Sequence, residues 1–143
     1  MAKLLGMIAA LCAIAGCSTT PTPLVKATPA GPERLLAFQL KTEETSAKLI
    51  VTRDRGFIGS GCNLTLLIDS VLAARLKTGQ TATFYLKPGE HLLRASKDSE
   101  GRGLCALDKQ RGSTSETLLR PGETKSYRLT VDVGGAISVQ RSE

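Results

Sequence analysis

Four cysteines and a single histidine are the residues of this chain best suited to covalent or metal chemistry. A structural zinc site needs about four Cys or His ligands, usually including closely spaced cysteine pairs. The cysteines stand at positions 12, 17, 62 and 105, which gives no Cys-X-X-Cys spacing, and His91 is the only imidazole. A lone histidine also disfavours Ser-His and Cys-His nucleophiles. We therefore expect no metal site, no cofactor and no catalytic residue.

The other polar groups that could act chemically have simpler structural interpretations. Ser60 lies in IGSGC, which does not match the Gly-X-Ser-X-Gly nucleophile elbow. Asp54 and Asp69 could form a carboxylate pair, but each stands near the end of a predicted strand, where Asp usually supplies turn hydrogen bonds. His91 follows a Pro-Gly pair and is expected to be half-exposed at the start of a strand. These residues favour a protein that is not an enzyme.

The N-terminal sequence MAKLLGMIAALCAIAGC has the three parts of an export signal. Lys3 supplies the positive charge, residues 4–13 form an apolar run, and small residues follow; the run is shorter than the roughly 20 residues of a membrane-spanning helix. Residues 14–17, Ile-Ala-Gly-Cys, resemble the lipobox of bacterial lipoprotein precursors. That resemblance implies removal of a signal peptide at 1–16 and attachment of lipid such as palmitate to Cys17.

The residue after the lipobox cysteine bears on whether the lipoprotein stays in the inner membrane or reaches the outer membrane. Ser18 stands where an inner-membrane retention signal would favour Asp. The resemblance therefore implies an outer-membrane protein that is anchored by its lipid, on the periplasmic side or facing the surface.

With the signal removed and Cys17 acylated, Cys62 and Cys105 are the two thiols of the exported chain. Thiols in an oxidising compartment commonly pair, so we expect a disulfide between them. Residues 17–32 are rich in Thr, Pro and small residues, a composition typical of an extended tether. The folded domain is accordingly predicted over residues 33–143.

The charge of the chain bears on its partners. The net charge is +6, with 19 Lys and Arg against 13 Asp and Glu, and the aromatic content is 3%. Binding to nucleic acid usually needs a dense basic stripe or stacking aromatic residues. Since these charges are interleaved along the chain, we expect no nucleic-acid partner and a surface that is soluble near anionic membranes.

Short apolar runs separated by Gly, Pro and Asp continue from residue 47 almost to the end of the chain. The predicted strands are 48–54, 63–70, 71–76, 80–86, 90–97, 114–120, 123–133 and 136–141. Asp69-Ser70 and Gly134-Gly135 predict tight turns. The pattern predicts an all-β fold, an antiparallel β-sandwich of about seven or eight short strands. Residues 33–42 fit a helical turn or an edge strand, and we favour a strand or an irregular docked segment.

A five-residue word occurs twice, as LKPGE at 86–90 and LRPGE at 119–123. Pro fixes the second position of a type II turn, and Gly accepts the positive φ of the third. An internal duplication or a repeated ligand motif would also produce the repeat, but the flanking residues differ. Turn chemistry is the preferred interpretation: each word is expected to be a rigid reversal between strands.

A candidate surface for binding a partner follows from the expected disulfide. Pairing of the two thiols would bring Arg53, Arg55 and Phe57 near Arg102, in the long polar loop at 96–113. Arg and aromatic residues are enriched at protein-binding hot spots, and Arg also suits anionic glycans. A solvated loop face with local ion pairs is the alternative interpretation.

Several stretches together support a resemblance to a family. These are AKLIVTRDRGFIGSGC, LLIDSVLAARL, LKPGEHLLRA, GRGLC and ETLLRPGETKSYRL. In order and spacing they resemble small uncharacterised proteobacterial lipoproteins with a PEGA-like β-sandwich domain of unknown function. The resemblance implies a non-enzymatic module of the cell envelope, which binds an envelope protein or glycan or serves a structural role. A periplasmic inhibitor of lysozyme or of a protease is the alternative, with the loop at 98–112 entering the enzyme cleft.

Overall fold

A computed structural model describes residues 19–107 and 112–142, and within them nine strands form two facing sheets. The strands are β1 Thr28–Pro29, β2 Ala47–Arg53, β3 Leu64–Ile68, β4 Val71–Leu76, β5 Gln80–Leu86, β6 Gly89–Lys97, β7 Thr114–Leu119, β8 Thr124–Val131 and β9 Ile137–Ser142. The helical elements of the described residues are the one-turn helix α1 Leu104–Leu107 and two 3-10 turns, Leu24–Lys26 and Pro32–Arg34. The predicted all-β sandwich is confirmed.

The two sheets are mostly antiparallel. One has the order β1-β5-β2-β8-β9 and the other the order β4-β3-β6-β7. A central pair departs from the expectation: β2 runs parallel to β8, with Leu49 beside Lys125, and the short β1 runs parallel to β5. Because β2 and β8 are far apart in sequence, no hairpin turn constrains their relative direction.

The core fills the space between the sheets with the inward-facing residues of each strand. Leu49, Leu66, Phe84 and Leu129 are fully buried there. Burial of each such side chain stabilises the fold by about 1.5–3 kcal/mol. Buried alanines lie among these large side chains: Ala47, Ala73, Ala74, Ala82 and Ala95.

The two Pro-Gly words carry the chain from one sheet to the other. LKPGE connects β5 to β6, and LRPGE connects β7 to β8. At the second word Gly122 has φ +73° and the Glu123 N–H donates to the Arg120 carbonyl at 3.1 Å, as the predicted turn requires. At the first word Gly89 has φ +140° and already belongs to β6, so the same type of turn is not formed there. The same five-residue pattern thus occurs at two connections between the sheets whose turn geometries differ.

The predicted tight turn at Asp69-Ser70 joins β3 to β4. Ile68 pairs with Val71, which leaves a two-residue loop. Asp69 and Ser70 have φ values of +51° and +68°. Positive φ at both central residues is the requirement of a type I′ turn, whose twist matches that of the flanking strands.

Residues 19–32 lie against the domain, and this corrects the predicted boundary at residue 33. The Thr28 N–H donates to the Gly79 carbonyl at 3.0 Å, and the Ala30 N–H donates to the Thr81 carbonyl at 2.8 Å. A Thr- and Pro-rich segment cannot form its own core, but its extended backbone can pair with an edge strand, where Pro is tolerated. Composition predicted the extended conformation and did not reveal the docking.

The following residues cover the same side of the sandwich. The Leu36 N–H donates to the Ala73 carbonyl of β4, and the Phe38 carbonyl accepts from the Tyr85 N–H of β5, both at 2.8 Å. Residues 28–38 therefore protect an edge strand of each sheet. Of the conformations considered for residues 33–42, the irregular docked segment is confirmed beyond the 3-10 turn at Pro32–Arg34.

Ser70→Gly should raise the free energy of unfolding by about 1 kcal/mol, because a residue with a Cβ is strained in the left-handed conformation. Urea denaturation of the two proteins measures the difference. Ser70→Ala is the matched control, since it removes the hydroxyl and keeps the Cβ. An equal gain in both variants would show that the backbone conformation is not the cause.

Candidate functional site

The connections β2–β3 and β6–β7 meet at one end of the sandwich, which we call the disulfide end. Cys62 and Cys105 are bonded there, with an S–S distance of 2.08 Å and a Cα–Cα distance of 5.5 Å. The predicted disulfide is confirmed. The β4–β5 turn lies at the same end, where the Thr78 hydroxyl donates to the Ser60 carbonyl at 3.2 Å.

Arg53 is not available to a partner, which corrects its assignment to the binding surface. Its side chain is only 2% exposed, and burial lowers its pKa to about 10. Its Nη1 donates to the carbonyls of Cys62 and Leu76 at 2.5 and 2.8 Å, and its Nη2 donates to the carbonyl of Gly59 at 2.7 Å. The guanidinium therefore holds the β2–β3 connection against the end of β4.

The alternation of β2 explains why Arg53 points inward. Side chains two residues apart face the same side of a strand. Leu49 and Val51 are fully buried in the core, and Arg53 is next in that series. Period-two alternation therefore predicts burial of Arg53, and its charge had suggested a surface position.

The other three residues of the predicted surface are exposed at the disulfide end. Phe57 is 91% exposed, and Arg55 and Arg102 are also exposed. The Arg55 side chain is held weakly: its Nη2 donates to the Lys26 carbonyl, but the bond is long, at 3.4 Å, and exposed. The structure thus places Arg55, Phe57 and Arg102 on the two connections that the disulfide joins.

Two apolar residues extend this surface and were missed by the sequence prediction. Leu104 in α1 is 82% exposed, and Val133 in the β8–β9 turn is 60% exposed. Leu104 stands beside Cys105 in an otherwise polar segment, which is the one sequence signal that could have identified it. Val133 continued the apolar alternation of β8 and was predicted as part of that strand, which ends at Val131.

A polar network fixes the start of the β6–β7 connection. Asp98 is buried and lies 3.4 Å from Arg75 Nε, and its Oδ2 accepts from Asn63 Nδ2 at 3.4 Å. Arg75 also pairs with Glu100 at 2.6 Å. The β6–β7 connection is therefore held at its start by this polar network and further along by the disulfide to the β2–β3 connection.

Asp54 and Asp69 do not form a carboxylate pair, because they lie at opposite ends of the sandwich. Asp54 is buried beside Arg128, whose Nε lies 3.0 Å from Oδ2, and it accepts from the Thr22 N–H at 3.1 Å. Its role is to bind the docked N-terminal segment to β8. Asp69 lies in the β3–β4 turn.

His91 has both ring nitrogens engaged at that opposite end. Nδ1 lies 2.6 Å from Asp69 Oδ2, and Nε2 lies 2.7 Å from the Lys87 carbonyl oxygen. A carbonyl can only accept, so Nε2 carries a hydrogen. In this geometry neither nitrogen is free to remove a proton from a substrate.

The surroundings of His91 form a shallow depression of about 390 Å³ that is lined by Asp69, Glu90, Glu116 and Thr117. Partial burial would raise the pKa of Asp69, but hydrogen bonds from the Leu92 N–H and from His91 lower it overall. The Leu92 bond is 2.8 Å long. This carboxylate therefore stabilises the corner as its charged form.

Comparison of the chain with models of known protein families found no match. A search of curated proteins found no significantly similar relative either.

Two further observations concern the described residues 19–107 and 112–142. They contain no group of three or more His, Cys, Asp or Glu residues placed to hold a metal ion. Among the same residues, no helix has the length and apolar character needed to cross a membrane.

Arg53→Met should lower the free energy of unfolding by about 3 kcal/mol, because it leaves one buried and two partly buried carbonyl oxygens without a charged donor. Arg55→Met is the matched control and should change stability by no more than about 0.5 kcal/mol, as exposed substitutions usually do. Urea denaturation of the oxidised proteins measures both. Equal effects would show that the buried guanidinium has no special role.

Asp69→Asn should destabilise the protein at neutral pH and have less effect in acid. The folded-state pKa of Asp69 is lowered from 3.8, so the stability that its charge supplies is present above that value and is lost as pH falls through the folded pKa. Asn tolerates the left-handed φ at this position, so the turn is retained. Urea midpoints at about pH 7 and about pH 3 measure the gap between the two proteins. A gap that stays constant would contradict the linkage.

Proposed function

We propose that this chain is a lipid-anchored outer-membrane lipoprotein whose β-sandwich is a non-enzymatic binding or structural module of the cell envelope. The observation that carries the proposal is the export signal that ends in Ile14-Ala15-Gly16-Cys17. Cys17 is the residue that would receive the lipid, and residues 1–16 would be removed. Ser18 in the following position favours the outer membrane over the inner one.

The disulfide supports an extracytoplasmic location. Disulfides persist in oxidising compartments such as the periplasm and are rare in the cytosol. Cys62 and Cys105 are bonded, and the two connections of the disulfide end depend on that bond for their relative position. A domain that is exported and exposed to oxidants would keep this arrangement.

A binding role is favoured over an enzymatic one by the character of the two ends. The single histidine has both nitrogens engaged. The disulfide end, in contrast, presents Phe57 and Leu104 to solvent on connections fixed by covalent and polar contacts. Rigid aromatic and apolar residues beside arginines are typical of surfaces that bind a partner.

The resemblance to small lipoproteins with a PEGA-like β-sandwich domain is a further support. The two Pro-Gly words that carried it lie at corners between the sheets. A module of this kind would bind an envelope protein or a glycan, with the membrane as its constant partner through the lipid.

The alternative is a periplasmic inhibitor of lysozyme or of a protease. It is favoured by Leu104, which is exposed on a connection that Cys105 pins to the domain. A pinned loop of this kind could enter an enzyme cleft with little loss of conformational entropy. Lysozyme or protease assays with the purified chain and with Leu104→Asp separate the alternatives: inhibition that the substitution abolishes would favour the inhibitor.

Cys17→Ser should abolish acylation and leave an uncleaved precursor, because the thiol that receives the lipid is lost. Labelling with a palmitate analogue in a Gram-negative host, followed by mass spectrometry of the product, measures both effects. Cys12→Ser is the matched control, since it removes a cysteine of the apolar run and should leave labelling unchanged. Retention of the label in Cys17→Ser would contradict the proposed anchor.

A further inference from the structure

Thr19 and Thr20 are held at the disulfide end by four hydrogen bonds. The Thr19 N–H donates to the Val131 carbonyl and its hydroxyl accepts from the Val131 N–H, both at 3.1 Å. Thr20 exchanges backbone hydrogen bonds with Arg55 at 2.6 and 3.2 Å. The N-terminal segment is thus fixed where β2 and β8 end.

Given the lipid attachment at Cys17 proposed above, on which this step rests, Thr19 sets the orientation of the domain. Only Ser18 stands between Cys17 and Thr19 in the sequence. Two residues of fully extended chain span at most about 7 Å. An acylated Cys17 would therefore hold the disulfide end close to the bilayer, with no long tether between them.

We propose that the disulfide end is a membrane-facing surface that lies on anionic phospholipid headgroups. Phe57 and Leu104 enter the boundary between headgroups and acyl chains, and Arg55 and Arg102 contact the headgroup phosphates. The occupant of this surface is the lipid in which the chain is itself anchored.

The exposed apolar residues of this end suit a membrane interface. Phe57 and Leu104 expose nearly all of their side chains, and Val133 adds a third apolar group on the β8–β9 turn. Phe57 lies two residues after Arg55, which binds Thr20, and Val133 lies two residues after Val131, which binds Thr19. Phe57 and Val133 therefore lie on the connections that bind the N-terminal segment, and the disulfide joins the Leu104 connection to the Phe57 connection, as a surface drawn to the bilayer by its anchor requires.

The exposed charges of the same end favour anionic lipid. Arg55, Lys77 and Arg102 are exposed on three of its four connections. Asp132 is an exposed carboxylate there, and its Oδ1 accepts from the Ala136 N–H at 2.8 Å. Basic residues near an anionic leaflet are attracted to it within a Debye length.

Other carboxylates of the described residues near this end are paired with arginines. Asp54 is buried against Arg128, and Asp98 and Glu100 both pair with Arg75. Among the described residues of this end, the exposed cations Arg55, Lys77 and Arg102 therefore outnumber Asp132 and the one negative charge by which Asp98 and Glu100 exceed Arg75.

The opposite end has a different character. Leu118 is 52% exposed there, but its neighbours Asp69, Glu90 and Glu116 line the depression beside His91. Anionic headgroups would repel these carboxylates, although Lys87 and Arg120 are also exposed at this end. Leu118 thus provides a matched position of similar chemistry where no membrane contact is expected.

The sequence contains no Trp, so a single introduced Trp reports its own environment. Phe57→Trp and Leu118→Trp full-length chains, expressed with their signals and purified from membranes, are reconstituted in phosphatidylethanolamine–phosphatidylglycerol vesicles with and without brominated acyl chains. We expect the Phe57→Trp emission to be blue-shifted and to fall roughly twofold with brominated lipid, since an interfacial side chain reaches about 5–10 Å into the boundary region. The Leu118→Trp emission should be unchanged.

Charge reversal tests the role of the arginines. Adding Arg55→Glu and Arg102→Glu to the Phe57→Trp chain should reduce the quenching, while the acyl chains keep the protein on the vesicles. Lys87→Glu with Arg120→Glu, at the opposite end, is the matched control and should leave the quenching unchanged. Unfolding by urea shows that each variant is folded.

The outcomes separate the anchor from the orientation. A mature chain without lipid on Cys17 by mass spectrometry would overturn the proposed function and this surface with it. An acylated chain in which the two Trp positions are quenched equally, or not at all, would overturn the surface alone. A blue shift at Phe57→Trp without quenching would mean that a second copy of the chain covers this end, which also overturns it.

Discussion

A buried guanidinium holds the disulfide end together. Arg53 continues the inward-facing series of β2, so its charge lies at the base of the core, where desolvation lowers its pKa to about 10. The carbonyls of Gly59, Cys62 and Leu76 replace the lost water. The same three bonds also fix the β2–β3 connection that carries Cys62. The geometry of the disulfide therefore depends on a polar group inside the sandwich.

The docked N-terminal segment is the second feature, after Arg53, that stabilises the sandwich. It begins beside Val131, is bound by the Asp54 carboxylate at Thr22, and continues along β5 and β4 through residues 28–38. In an open sandwich these two edge strands would offer unpaired N–H and C=O groups to other chains. The segment satisfies part of that backbone and, through Thr19 and Thr20, binds to the ends of β8 and β2.

The strand pattern was predictable because it depends on local signals. Each strand from β2 to β9 was predicted to within two residues at both ends, since alternation and Gly, Pro or Asp turns mark those ends. The two Pro-Gly words were identified as reversals, but whether a reversal closes a hairpin or crosses between sheets is decided by the packing of distant strands. The parallel pairing of β2 with β8 was hidden for the same reason.

The candidate site was predictable in part. The disulfide and the exposure of Phe57 and Arg102 followed from pairing two cysteines. Arg53 was misplaced because its charge was given more weight than its position in an alternating strand. The docking of residues 19–32 could not be foreseen, because hydrogen bonding to an edge strand depends on backbone groups and leaves no pattern of side chains.

The closed sides of the sandwich leave its ends as the surfaces most open to interaction. On the β7–β9 side, Lys125 of β8 donates to the Leu118 carbonyl, and the Ser113 N–H donates to the Ile137 carbonyl. If several acyl chains already retain the protein at the membrane, Phe57 adds little to that retention. Its contact with lipid would instead select one orientation, in which the corner around His91 faces away from the bilayer.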